Sequence, residues 1–141
     1  MSERSRAVLT LVPGTGSSAV LDVREVAAEA ASGRERAALL RETGRVHLAL
    51  SGGHQRRSDR LRQRGFHADA DEFSARAKAM RSHAGVLSEQ ADEVESEACA
   101  LVRRWIDEQR LLVEGDATAL RLLDDVSTIL FAHPGPTTCC S

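Results

Sequence analysis

Phe73-Ser-Ala-Arg-Ala77-Lys-Ala-Met80-Arg-Ser-His-Ala84-Gly-Val-Leu87-Ser-Glu-Gln-Ala91-Asp-Glu-Val94-Glu-Ser-Glu-Ala98-Cys-Ala-Leu101-Val-Arg-Arg-Trp105 carries the strongest periodic signal in the chain. Its apolar positions alternate steps of four and three, which is a heptad pattern sustained over several repeats and predicts a helix with one continuous apolar seam. One row of the seam reads Phe73, Met80, Leu87, Val94, Leu101; the other reads Ala77, Ala84, Ala91, Ala98, Trp105. A methyl side chain lets a neighbouring backbone come close while the larger residues fill the gaps between alanines. The seam therefore predicts a tightly approached partner helix.

Outward from the seam, Asp69 and Glu72 stand at capping-box spacing and mark the start of the helix. No proline interrupts the chain from there to Gly115. Val102, Ile106 and Val113 lie outside the strict seam and widen the stripe, and Leu112 prolongs it, so more than one partner helix is expected at the C-terminal end. Gly115-Asp116 predicts a turn with Asp116 as N-cap, followed by a last helix through Leu120, Leu123, Val126, Ile129 and Leu130 that ends before Pro134. A single helix over residues 70–113 would be about 66 Å long, whereas a compact globule of this chain length has a diameter of roughly 37 Å. Either the helix breaks near Gly85 or its stripe is covered by another chain. Because the seam keeps its phase through Gly85, we expect a continuous helix.

The N-terminal half carries weaker signals. Ala7-Val-Leu-Thr-Leu-Val12 is a short apolar run stopped by Pro13-Gly14 and fits a strand or an arm. Ser18 is a candidate N-cap for a helix through Leu21, Val23, Val26, Ala27 and Ala30, which Ser32-Gly33 is expected to break. A short helical segment over 34–43, ended by Gly44, comes next. Val46-His-Leu-Ala-Leu50 fits a strand or a continued helix up to Ser51-Gly52-Gly53, and residues 54–64 are polar and Arg-rich.

The chain of 141 residues suits one all-α domain over 1–135 with a disordered tail at 136–141. Eighteen arginines against one lysine, with no tyrosine, look like the codon bias of a high-GC bacterial genome rather than ligand selection. Net charge is −2, but residues 1–64 carry 12 Arg and 7 acids while residues 65–141 carry 7 bases and 14 acids. Oppositely charged halves attract, within a chain or head to tail between chains. No apolar run is long enough for a membrane span and no signal peptide is evident, so a cytoplasmic location is expected. Cys99, Cys139 and Cys140 form no spaced disulfide framework.

Candidate chemistry is sparse. Ala49-Leu50-Ser51-Gly52-Gly53 has the small-x-Ser-x-small spacing of a nucleophile elbow. With Leu11-Val-Pro-Gly-Thr-Gly-Ser17 upstream, residues 7–54 resemble the strand-and-loop start of the α/β-hydrolase family; the resemblance implies a minimal hydrolase using Ser51, although the further strands of that family are not visible. The same glycine-rich loops match no phosphate-binding motif. Arg56, Arg57, Arg60, Arg62 and Arg64, against Asp59 alone, supply enough charge for phosphate contacts, but no aromatic interleaves them as a stacking platform. His67, Asp69, Asp71 and Glu72 are explained by helix capping rather than by a metal. His133 with Cys139-Cys140 is a candidate soft-ligand tail.

These readings predict no catalytic residue, no cofactor and no metal. The expected function is protein–protein interaction or regulation, the chain pairing as a homodimer, or with another helical protein, through Phe73, Met80, Leu87, Val94, Leu101 and Trp105. Leu87→Asp is then expected to dissociate the dimer. The alternative is a nucleic-acid-binding protein using Arg56–Arg64. The alternating heptads resemble those of the small helical hairpins exported by type VII secretion systems, but the Trp-x-Gly turn of that family is absent here, and its function is not carried over.

Overall fold

The computed structural model describes residues 22–132. Three helices follow one another: α1 over Val23–Gln63, α2 over His67–Leu112 and α3 over Ala117–Phe131. The all-α expectation holds among the described residues, and 46–50 is helix rather than strand. The run Ala7–Val12, the candidate cap Ser18 and the tail from 136 lie outside the described residues.

The chief correction concerns α1. Gly33, Gly44 and Gly52-Gly53 read as stops, yet one unbroken helix of 41 residues runs through all of them. Glycine costs about 1 kcal/mol against alanine in a helix interior, a penalty that tertiary packing can override. Gly33 and Gly44 are buried, and with Val26, Ala30, Ala37, Ser51 and Ser58 they lie on one heptad-spaced stripe. They belong to a seam of their own, whose small and polar members hide it from a reading based on large apolar residues.

Asp22 caps α1, its Oδ1 accepting from the Arg24 amide at 3.3 Å. The helix ends in a Schellman turn: the Phe66 amide donates to the Leu61 carbonyl at 2.9 Å and the Gly65 amide to the Arg62 carbonyl at 3.1 Å. That closure requires a left-handed residue, and Gly65 supplies it with φ 85°. Because α2 starts at His67, Asp69 falls inside the first turn and favours the helix N-terminus by charge rather than as the cap. At the other turn Gly115 has φ 87°, and Asp116 caps α3 as expected, accepting from the amides of Thr118 and Ala119.

By their contacts the described residues divide into two units, one of residues 22–34 together with 95–132, the other of residues 35–94. In the first, Val26, Ala30, Val102, Trp105, Ile106, Leu123 and Leu130 form an apolar core drawn from all three helices. The extra stripe of Val102 and Ile106 thus meets two neighbours, α1 and α3. Arg34 donates to the Leu130 carbonyl, placing a cation on the C-terminal end of α3, where the helix dipole favours it.

The second unit is an antiparallel pair of α1 and α2 with almost no large side chains between them. Ser58 Oγ donates to the Ala70 carbonyl at 2.6 Å and Ser51 Oγ to the Ala77 carbonyl at 2.8 Å. Gly44 comes next, facing the Ala84 carbonyl. Each step of seven residues back along α1 is matched by seven forward along α2. Small residues on both helices, with serine hydroxyls bonding across to backbone, let the helices close up where ordinary leucine packing would hold them apart.

Candidate functional site

The alanine row predicted on α2 is buried throughout: Ala77, Ala84, Ala91 and Ala98 are covered, as is Ala70 before them. Within 35–94 this row faces α1 of the same chain. The row of large residues is less covered. Leu87 is buried, with its Cβ close to Gly44, whereas Phe73, Met80 and Val94 are half-buried. In the other unit Leu101 is half-buried, and Trp105 belongs to the core. Leu87→Asp would therefore strike the hairpin itself before any dimer.

Beside this row each helix carries an exposed stripe at helical spacing. On α1 it runs Leu39, Thr43, Val46, Leu50, with the three aliphatic residues 68%, 50% and 49% exposed. On α2 it runs Arg76, Ala79, His83, Val86, Gln90, Glu93, all exposed. The His47 and His83 rings meet edge-on with centroids 4.8 Å apart, which puts the two stripes on the same side of the pair. The result is a patch with an apolar middle, basic at its Arg76 end and acidic at its Glu93 end.

Toward the α1–α2 turn the structure supplies what the Arg-rich segment lacks in sequence. Phe73, from α2, lies against it: the guanidinium of Arg57 sits 5.0 Å from the ring centroid, that of Arg76 5.1 Å, and the His54 ring 5.6 Å. Cation–π contact of this kind attracts both guanidinium groups to the ring face. Arg62 is tied to Asp71 at 2.8 Å and Arg76 to Glu72, whereas Arg60 and Arg64 are exposed and the exposed Arg56 lays its guanidinium over Gly52 and Gly53. An interface candidate and a nucleic-acid candidate, 16 residues apart in sequence, thus share one spot. The antiparallel register brings them together, and no local motif announces it.

Ser51 is not at a strand-to-helix turn. It lies in the middle of α1, buried, donating to Ala77 and accepting from Arg81 at 3.2 Å. The elbow geometry that would expose a nucleophile is absent, and the flanking small residues serve helix approach instead. Among the described residues no group of three or more His, Cys, Asp or Glu side chains converges as a metal site, and no helix is long and apolar enough to cross a membrane. His133, Cys139 and Cys140 lie outside the described residues.

No protein family, curated protein or solved structure matches this chain.

Proposed function

We propose that this chain is a helical protein–protein interaction protein that acts in the cytoplasm as a homodimer, pairing through the open side of its seam in coiled-coil fashion. The observation that carries the reading is the exposed patch of Leu39, Val46 and Leu50 beside the half-buried Phe73, Met80 and Val94. Contiguous apolar surface of this kind on a protein otherwise rich in charge marks an association surface. Its charge order favours a second copy as the partner. A two-fold axis through the apolar middle lays the Arg76 end of one copy over the Glu93 end of the other, which makes the patch self-complementary.

Size exclusion with light scattering tests it. Val46→Asp and Leu50→Asp change exposed positions, so both variants should keep helical circular dichroism and run as monomers while the unmodified chain runs as a dimer. A monomeric unmodified chain at high concentration would refute the homodimer.

A second reading has its own support: Phe73 between Arg57 and Arg76, with Arg56, Arg60 and Arg64 nearby, combines an aromatic face with phosphate-binding cations. Fluorescence anisotropy with a labelled single-stranded oligonucleotide would then show binding that falls steeply with salt and is lost in Arg57→Glu.

A further inference from the structure

His47 and His83 belong to different helices and are 36 residues apart, yet their rings touch. His47 Nδ1 lies 2.8 Å from the Thr43 carbonyl oxygen. A carbonyl can only accept, so Nδ1 carries a proton and donates, and in the neutral imidazole the lone pair then lies on Nε2. A ring nitrogen donating to a backbone carbonyl is the arrangement that orients a metal-bound histidine. His83 is exposed, so solvent reaches the pair from its side.

The spacing of the rings, an edge-to-face contact, also accommodates two ligands on one ion. With metal–nitrogen bonds of about 2.0–2.1 Å, the centroid of each ring stands about 3.2 Å from the ion, and bite angles of about 90–110° separate the centroids by about 4.5–5.3 Å. The observed separation is 4.8 Å, with the ring planes at 62°. Imidazole nitrogen suits Zn²⁺, Ni²⁺ and Cu²⁺. We propose that His47 and His83 form a cross-helix, two-imidazole site for such a divalent ion, water completing its coordination. An ion held this way clasps α1 to α2 across a seam that is otherwise made of small residues. It binds the folded hairpin in preference to the unfolded chain and so raises thermal stability. The inference does not rest on nucleic-acid binding; because His83 lies on the stripe proposed to pair two chains, the oligomeric state is read by light scattering in the same titration.

Ni²⁺ alone, titrated calorimetrically into the full-length chain with its Cys99 disulfide intact and thermal unfolding followed in parallel, is the test. One equivalent per chain and a raised melting temperature are expected. His83→Ala changes an exposed side chain and should weaken binding about tenfold or more, since even losing an outer-sphere partner of a ligand costs about 10–100-fold. His47→Gln, which keeps the bulk of the side chain, should do the same. His54→Ala and the paired Cys139→Ser, Cys140→Ser variant should bind as the unmodified chain does. Unchanged affinity in His83→Ala would overturn the proposal and leave the rings as a packing contact. Loss of binding in the cysteine variant would place the ion at the terminal thiols and overturn it equally.

Discussion

A β-carbon on Gly44 would stand 3.6 Å from the carbonyl oxygen of Ala84 and 3.9 Å from the Cβ of Leu87. Those are ordinary contact distances, so a methyl group fits and anything longer does not. Gly44→Ala should therefore hold or slightly raise stability, while Gly44→Leu should cost about 1–3 kcal/mol by forcing the helices apart. Gly85, on the opposite helix, meets nothing within 4 Å, and Gly85→Ala should stabilise by about 1 kcal/mol through helix propensity alone. Urea unfolding of the three variants checks the order.

Ser51 and Ser58 each bond across to a carbonyl of α2 that also has its own helical partner. Removing either hydroxyl leaves no orphaned acceptor, so Ser51→Ala and Ser58→Ala should each cost only about 0.5–1.5 kcal/mol. Ser58→Leu should cost more than Ser58→Ala, because the seam has no room for it. Chemical denaturation midpoints would show the ranking; equal midpoints for the Ala and Leu variants would contradict close approach at this position.

Trp105 fills the core shared by α1, α2 and α3. Trp105→Ala should cost about 3–5 kcal/mol, a large part of the stability of a domain this size. Because it is the only tryptophan, its emission should be blue-shifted in the native protein and shift red on unfolding. Emission typical of exposed indole under native conditions would contradict the core.

Arg41 and Asp92 pair between the helices at 2.9 Å, with side chains 34% and 65% exposed. At that exposure the pair should couple by about 0.2–1 kcal/mol at low salt, and less as salt is raised. A double-mutant cycle of Arg41→Ala and Asp92→Ala measures it. The charge asymmetry between the halves therefore aligns the helices more than it holds them; the seam holds them.

Helices α2 and α3 and the Asp116 cap are legible in the residues alone, because Ala and large residues alternating every three or four positions have no other economical arrangement. The sequence also placed the second neighbour helix beside Val102 and Ile106. Helix α1 is different, because its continuity comes from packing against α2. Gly33, Gly44, Ser51 and Ser58 are helix-weakening residues taken one at a time, and their place on one heptad-spaced stripe gains meaning only when a partner helix lies within reach of a methyl group. The meetings of Phe73 with Arg57 and of His47 with His83 were equally beyond the sequence. They follow from the antiparallel register, which the paired small residues of the two helices set and which neither helix encodes alone.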